Sequence, residues 1–355
     1  MKHKLLFVLL VLMSMAVGNM TLVSCGDDEV EPNGGGNSGQ NAEKNTTDVA
    51  VTGAVEEVWD ICARINGVVN LQIISGSYMN VQIGVDVSES QEFTNKTRTQ
   101  TKEVVGGKRS FNVFVTHLKP ETQYYYRTYV IVSSLYTYYG ETYSFNTTSL
   151  SMDSPGHYVD LGLPSGTLWA ISNIGAIYPE KYGDYFAWGE TSGYSNGKID
   201  FDWSTYKWCN GSSSTLTKYC TNSSRGTVDN KTELDLEDDA AYVNWGKQWR
   251  MPSMEQFKEL INSDYTTTEW TTENRVYGRK ITSKTNGNYI FLPAAGYRSG
   301  TSLNGAGSRG DYWSRTLVTD IPNFAWGLYF SSDYVDTNYR SRYYGQSVRP
   351  VRLSE

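Results

Sequence analysis

The side chains best suited to chemistry lie near the C-terminal end of the chain, in residues 297–344. Tyrosine, tryptophan, arginine, asparagine and aspartate alternate there with glycine and serine, as in an antibody paratope. Aromatic faces stack on sugar rings or fill protein hot spots, and arginine and asparagine add directional hydrogen bonds. We therefore predict a binding surface for a glycan or a protein ligand. Its predicted residues are Tyr297, Arg298, Asn304, Arg309, Asp311, Tyr312, Trp313, Tyr334, Asp336, Asn338, Tyr339, Arg340, Tyr343 and Tyr344.

These residues need a scaffold, and three short apolar runs around them have the length and the residue types of strands. The runs cover residues 291–292, 324–330 and 347–353. Residues 297–312 and 331–346 lie between the runs and are predicted to be loops. The alternative is that the tyrosines of this region only complete a small core.

Catalysis has little support in the sequence. No stretch isolates a pair of carboxylates, and the acidic run Asp235, Glu237, Asp238 and Asp239 is typical of a solvated face. His117 and His157 are poorly placed for a Ser/His/Asp arrangement. We predict that the chain is not an enzyme and binds no metal through a Cys/His motif. No calcium-ligand spacing stands out, so calcium stays open as a cofactor.

The N-terminal residues predict export. Lys2 and Lys4 precede an apolar stretch, residues 5–17, which is short for a membrane span, so residues 1–24 are interpreted as a signal peptide. The segment Leu22-Val23-Ser24-Cys25 resembles the lipobox of bacterial lipoproteins. This resemblance implies cleavage before Cys25 and acylation of its thiol, whereas an ordinary secretory peptide is the alternative.

The residues after Cys25 refine the expected location. An acidic cluster, Asp27-Asp28-Glu29, follows directly and resembles the export signal of surface lipoproteins in Gram-negative bacteria. We expect a lipid anchor in the outer membrane, facing the cell exterior. Residues 25–48 have almost no apolar side chains and are predicted to form a disordered tether.

Cysteine usage and charge limit the remaining possibilities. Cys209 and Cys220 are close in sequence in an exported chain, so a disulfide between them is predicted, with Cys62 as a buried apolar residue. The net charge of −7 would be repelled by a phosphate backbone, which argues against a nucleic-acid partner.

Residues 49–149 have the pattern of a β-sandwich, with short strands separated by turn-rich spacers. Leu118-Lys119-Pro120-Glu121-Thr122-Gln123-Tyr124 resembles the start of strand F in fibronectin type III domains. The resemblance implies that the hydroxyl of Tyr124 makes a hydrogen bond to the backbone at a corner. The fold class predicted for the whole chain is mainly β, with an α+β second domain.

Residues 157–353 are predicted to form that second domain, with one clear helix. Ser253 can cap this helix, and Met254, Phe257, Leu260 and Ile261 recur on one face. A second, shorter helix is expected at residues 179–182 or 238–245.

An ordered set of motifs carries a further resemblance for this domain. The motifs are Tyr158-Val159-Asp160-Leu161-Gly162-Leu163-Pro164, Gly183-Asp184-Tyr185-Phe186-Ala187-Trp188-Gly189, Trp249-Arg250-Met251-Pro252, Phe291-Leu292-Pro293-Ala294-Ala295-Gly296-Tyr297-Arg298 and Ser347-Val348-Arg349-Pro350-Val351. Together they resemble the Fibrobacter succinogenes major paralogous domain family. This resemblance implies a C-type-lectin-like fold braced by aromatic packing and by hydrogen bonds from arginine to the backbone.

The sequence therefore predicts a non-catalytic, adhesin-like surface lipoprotein that presents its C-terminal residues to a glycan or a protein. One alternative is an envelope component that assembles with a fimbrial or other partner subunit. A second alternative is a variable ligand-display protein, because residues 297–344 resemble the diversified region of retroelement-targeted proteins.

Overall fold

The protein is mainly β. The computed structural model describes residues 43–45, 49–73, 81–101 and 107–353, and residues Ala42–Glu355 belong to one compact unit. The predicted signal peptide, Cys25 and most of the predicted tether lie outside the described residues. Within the described ranges, no helix is long and apolar enough to cross a membrane.

The first part of the chain forms two facing sheets. One sheet has the strand order β1-β8-β7-β4-β5, with β9 also paired to β7, and the other has the order β2-β3-β6. The strands are β1 (Glu43–Asn45), β2 (Ala50–Val58), β3 (Ala63–Asn70), β4 (Val81–Ser88), β5 (Thr97–Gln100), β6 (Lys108–Val115), β7 (Gln123–Val132), β8 (Tyr136–Tyr139) and β9 (Tyr143–Asn146).

The sandwich core lies between these two sheets. Ile65 and Val113 from one sheet pack with Val85 and Tyr126 from the other, all at 5% exposure or less. Alternation along β3, where every second residue is buried, produces this apolar face. Burying a large apolar side chain contributes about 1.5–3 kcal/mol, so the inward rows hold the sheets together.

The corner predicted from the fibronectin-like motif is present. The backbone N–H of Lys119 donates a 2.9 Å hydrogen bond to the hydroxyl of Tyr124, whose side chain is buried. Burial raises the pKa of Tyr124, so this hydroxyl stays protonated. The structure adds β1, β5 and β8, which the sequence analysis did not predict. The prediction of a disordered tether through residue 48 was wrong at residues 43–45, because β1 pairs with β8.

The second part has small sheets, two helices and long connections. Its elements are β10 (Tyr158–Asp160), β11 (Thr167–Ala170), α1 (Ala240–Trp245), α2 (Met254–Leu260), β12 (Thr266–Glu273), β13 (Val276–Ser283), β14 (Tyr289–Pro293), β15 (Tyr297–Ser299), β16 (Ser302–Asn304), β17 (Arg309–Leu317), β18 (Phe324–Ser331), β19 (Val335–Ser341) and β20 (Val351–Leu353). The sheets are β10-β11-β20, β12-β13-β14, β15-β16 and β17-β18-β19. Short 3-10 helices cover Leu71–Ile73, Pro155–His157, Tyr194–Asn196 and Leu236–Asp238.

Helix α2 begins as the sequence predicted. Ser253 and Gln256 form a reciprocal capping box at the start of α2, and Phe257 and Leu260 are buried. The second helix forms within residues 238–245 rather than 179–182. Asp239 caps it, because its carboxylate accepts hydrogen bonds from the amides of Ala241 and Tyr242.

Two fully buried arginines, Arg342 and Arg349, hold together the irregular connections of this second part. Arg349 donates hydrogen bonds to the carbonyls of Ala170, Ile171 and Phe291 at 2.7 to 3.1 Å. Burial lowers the pKa of Arg349 to about 10, which still leaves it charged at neutral pH. The predicted bracing of loops by arginine is therefore present. The domain boundaries and the C-type-lectin-like class stay predictions.

The prediction of loops at residues 297–312 and 331–346 was wrong. These segments contain β15, β16, the start of β17 and all of β19. Glycine, serine and asparagine lower the β-propensity of these segments, but pairing with a neighbouring strand overrides it. The residues at 324–330 do form a strand, β18, whereas only the end of residues 347–353 is extended, as β20.

The sandwich and the second part meet at a buried pair. Nε2 of His157 donates a 2.8 Å hydrogen bond to Oδ2 of Asp60, and neither residue is exposed. Gly156 packs directly over Cys62, since a Cβ there would lie 2.8 Å from its Sγ. Burial opposes the charge of Asp60, but bonds from His157 and Ser151 outweigh it and lower its pKa.

Candidate functional site: an arginine and tyrosine face on the last sheet

The sheet β17-β18-β19 carries the strongest candidate site. Its register pairs Asp311 with Tyr329 and Tyr329 with Asp336, so the three side chains lie on one face. Arg309 and Arg340 belong to the same face, because they lie two residues from Asp311 on β17 and four from Asp336 on β19. We call these five residues the Arg/Tyr face.

Asp311 organises the face. Arg309 makes two 2.7 Å hydrogen bonds to its carboxylate, and Nε of Arg340 lies 3.5 Å from Oδ1. The Asp311 side chain is only 2% exposed, whereas the two arginines are about one quarter exposed. A buried carboxylate thus holds two guanidinium groups at the surface. Burial disfavours the charge on Arg309, but the bonds to Asp311 outweigh it and raise its pKa.

Aromatic rings support both guanidinium groups. The Arg309 and Arg340 guanidiniums lie 4.9 and 5.3 Å from the centre of the Tyr329 ring, and Arg309 lies 4.6 Å from that of Tyr297. The Tyr297 ring meets Tyr344, and Tyr344 meets Tyr343 at 4.4 Å. These contacts fix the planes of the guanidiniums and extend the face as a row of partly exposed rings.

The turn between β18 and β19 is held by an arginine on β13. Arg279 on β13 is buried and donates hydrogen bonds to the carbonyls of Ser331 and Tyr334 at 2.5 and 3.1 Å. Tyr334 itself is half exposed, and its hydroxyl donates to Asp336 at 3.1 Å. Arg279 therefore positions the rim of the Arg/Tyr face, and nothing in the sequence pattern identified it.

Strand β19 lies at the edge of its sheet, where backbone groups could pair with another strand. Its own side chains occupy two of these groups. Oδ1 of Asp336 accepts from the amide of Thr337, and Oδ1 of Asn338 accepts from the amide of Tyr339, both at 2.7 Å. A ligand would therefore meet side chains here rather than extend the sheet.

Several predicted ligand-binding residues lie elsewhere. Tyr312 and Trp313 are fully buried, so the prediction that they bind a ligand was wrong. The Tyr312 hydroxyl donates to the carbonyl of Pro293 and the Trp313 indole to that of Phe186, which places both in the core. Arg298 is 9% exposed, and its guanidinium lies 3.3 Å from the Tyr194 ring centre.

The remaining predicted residues surround the face without joining it. Asn304 lies in β16 and donates to the carbonyl of Ser302. Tyr339 is 41% exposed on the opposite face of β19 and packs edge-on against Phe324 and Trp326. Tyr343 packs on Trp203 at 5.1 Å.

The sequence analysis missed Tyr329, which lies at the centre of the Arg/Tyr face. The residues of β18 alternate between buried and partly exposed over most of its length. The sequence predicts a strand at residues 324–330 but does not single out Tyr329. A period-2 pattern separates Tyr329 from the large apolar row of Phe324, Trp326, Leu328 and Phe330, although Ala325 and Gly327 in its own row are buried.

The acidic run is a salt-bridge cluster. Carboxylates of Asp235, Glu237 and Asp238 lie close enough together to hold a cation. The ammonium group of Lys218 lies 2.6 Å from both Asp235 and Asp238 and 3.6 Å from Glu237. Lys207 lies 3.4 Å from Asp238, and Lys231 lies 2.5 Å from Asp235. Three lysines therefore balance the three carboxylates without a metal ion.

The predicted disulfide is absent. Cys209 and Cys220 are free thiols, as is the buried Cys62. The thiol of Cys209 donates to the carbonyl of Trp203, and that of Cys220 to the carbonyl of Asn222, each at 3.1 Å. Each thiol thus has its own backbone partner. Burial raises the pKa of Cys62 to about 12, so this thiol stays protonated.

Comparisons with known proteins cover parts of the chain. No curated protein matches it. Among solved structures, it is similar to the sensor domain of the anti-sigma factor RsgI4 in Pseudobacteroides cellulosolvens, with 16% identity over 29% of this chain and 76% of that chain, at a TM-score of 0.23. It is also similar to the fibronectin type III domain of human fibronectin type III domain containing protein 3, with 11% identity over 33% and 100% of the two chains, at a TM-score of 0.24.

Likenesses at this identity and TM-score assign no ligand or activity to this chain. Residues 271–351 match the family described as Domain of unknown function (DUF8237), and this segment includes the whole β17-β18-β19 sheet.

Proposed function

We propose that this chain is a non-catalytic binding protein and that the Arg/Tyr face recognises a glycan. The proposal rests on one observation: the Asp311 carboxylate holds two partly exposed guanidiniums against the Tyr329 ring. Fixed donors beside an aromatic face match the alternating hydroxyls and CH surfaces of a sugar.

The charge balance of the face supports a neutral ligand. Arg309 and Arg340 are offset by Asp311 and Asp336 within the same row of side chains. The exposed Asp336 and the half-buried Asn338 add hydrogen-bond acceptors beside the guanidinium donors. A neutral sugar, which offers both donors and acceptors, fits this mixture better than a multiply charged ligand.

The same geometry supports binding rather than catalysis. A general acid or base must exchange a proton near the working pH. Asp311 is held by two guanidiniums and is almost fully buried, so its carboxylate is committed to ion pairs. The arginines stay protonated at neutral pH. These groups can orient a ligand but are poorly suited to move a proton.

Anchoring at the cell surface is part of this proposal and rests on the sequence around Cys25. We expect a Cys25→Ser variant to move from the membrane fraction to the soluble fraction of the expressing bacterium, because the acylated thiol would be lost. Fractionation and metabolic labelling with a fatty acid would measure this. Equal membrane retention of both proteins would contradict the lipid anchor.

The binding proposal is tested on a mixed glycan and glycoprotein array with the purified full-length chain, with and without calcium. Arg340→Gln and Tyr334→Ala remove a guanidinium and a rim ring of the same surface. We expect each to weaken a glycan signal at least fivefold, since a charge-assisted hydrogen bond or a stacked ring is worth about 1–3 kcal/mol.

Tyr136→Ala is the matched control, because Tyr136 is an exposed tyrosine on the sandwich sheet. It should leave the signal unchanged. A glycan signal that survives Arg340→Gln and Tyr334→Ala would remove the Arg/Tyr face as the site. A signal from glycoproteins alone that is lost in these variants would replace the glycan with a protein ligand. No signal at all would favour the alternative of an envelope or fimbrial assembly component.

A further inference from the structure

A cavity in the same part of the chain differs in chemistry from the Arg/Tyr face. It has a volume of 460 Å³ and opens between the end of α1, the start of α2, β17 and β20. Four cationic side chains line it, and the chain as a whole is acidic. The cationic residues are Lys247, Arg250, Arg315 and Arg352.

The two acidic residues of the cavity are already engaged. Asp239 is buried, and its carboxylate accepts from the amides of Ala241, Tyr242 and Met251 at 2.9 to 3.1 Å. Glu233 accepts from Nε of Arg315 at 3.0 Å. Arg352 also lies 3.9 Å from Asp153, just outside the lining. Four positive charges therefore meet three negative ones, so the cavity keeps a net positive charge.

The guanidiniums are held in place before any ligand arrives. Nη1 of Arg250 donates to the carbonyls of Lys247 and Trp249 at 3.0 and 2.7 Å. Nη1 of Arg315 donates to the carbonyl of Met251 at 2.9 Å. A guanidinium has five N–H donors, so these bonds leave further donors on both residues for a ligand.

Aromatic rings fix the planes of these groups. The Arg250 guanidinium lies 4.4 Å from the centre of the Tyr242 ring. That of Arg352 lies 4.8 Å from the Tyr158 ring and 5.7 Å from the Trp249 ring. Planar, oriented guanidiniums are the groups that bind a carboxylate through paired hydrogen bonds.

We propose that this cavity binds the carboxylate of an acidic sugar. Its volume falls within the range of about 300–1,000 Å³ that is usual for small-molecule sites and exceeds that of a single inorganic anion. Gln248 offers a polar contact for ring hydroxyls, and Leu234 and Val351 offer apolar ones. The proposal is independent of the Arg/Tyr face, because Arg315 lies at the other end of β17 from Arg309 and Asp311.

The test is calorimetric titration of the full-length chain with D-galacturonic acid, with D-galactose as its neutral counterpart and with inorganic sulfate. We expect galacturonic acid to bind at least tenfold more tightly than either. Lys247→Gln and Arg250→Gln should each weaken it at least fivefold, and higher salt should weaken it further. Lys247 is exposed, so its variant stays informative even if Arg250→Gln folds poorly.

Arg340→Gln is the control, and it should leave galacturonic acid binding unchanged, whatever its effect on the Arg/Tyr face. Equal affinity for galactose would overturn the role of the carboxylate. Sulfate binding as tight as that of galacturonic acid would reduce the site to an anion site. No binding of galacturonic acid, or binding that both cavity variants leave unchanged, would overturn the proposal.

Discussion

Replacing Arg342 with methionine is expected to lower the free energy of unfolding by at least about 3 kcal/mol, because several buried acceptors would lose their donor at once. Arg342 is fully buried and donates to the Tyr206 hydroxyl and to the carbonyls of Lys218, Tyr219 and Pro322 at 2.8 to 3.0 Å. An unpaired buried polar group costs about 1–3 kcal/mol, and these costs are not additive.

Methionine replaces the aliphatic part of the side chain but not the guanidinium group, so the loss would come mainly from hydrogen bonds and to a smaller extent from the space left by that group. Arg109→Met is the matched control, since Arg109 is exposed on β6 and should tolerate the change within about 0.5 kcal/mol. Urea unfolding monitored by tryptophan fluorescence measures both. Equal stability of Arg342→Met and the unchanged protein would show that this arginine does not brace the connections.

The second large loss of stability is expected from a change at the junction of the sandwich and the second part. Asp60→Ala removes the acceptor of His157 and of the amides of Ile61 and Ser151. Because the buried imidazole and two backbone amides would lose their acceptor, we expect a loss of about 3 kcal/mol at neutral pH. Hydrogen exchange at the Ser151 amide should rise in the same variant, since its bond to Asp60 would be gone.

The sign of the pH dependence follows from the lowered pKa of Asp60. The folded protein holds this carboxylate in its charged form more strongly than the unfolded chain, whose value is near 3.8. This contribution is fully present above the unfolded pKa and is lost as the pH falls through the folded pKa. The difference in the free energy of unfolding between the unchanged protein and Asp60→Ala should therefore be largest at neutral pH. It should shrink below about pH 4.

Asp264→Asn is a control for general acid effects, because Asp264 is an exposed aspartate on a connection. The free energy of unfolding of Asp264→Asn should stay close to that of the unchanged protein at every pH. A difference for Asp60→Ala that grows on acidification would contradict the assignment, since it would mean that the neutral form of Asp60 stabilises the fold.

The local sequence pattern was sufficient to predict several elements of the fold. The short apolar runs with turn-rich spacers in residues 49–149 and the corner motif ending in Tyr124 predicted a sandwich, because both depend on residues close together in the chain. The helix α2 could be placed from Ser253 onward for the same reason, since a capping box is closed by neighbours along the chain.

Assignments that depend on distant partners needed the structure. The composition of residues 297–344 predicted a binding surface, but it could not separate the inward Tyr312 and Trp313 from the outward Arg309 and Arg340. The spacing of Cys209 and Cys220 favoured a disulfide, whereas each thiol found a carbonyl of its own.

By itself, the sequence determined that this protein is mainly β, where its capped helix begins and which segment concentrates tyrosine and arginine. Only the tertiary structure decided that Asp311 joins Arg309 and Arg340 around Tyr329, and that Asp60 meets His157. The physical reason is the range of the interactions. Caps and alternation act between near neighbours, while strand register and buried ion pairs join residues far apart in the chain, and pattern alone does not specify them.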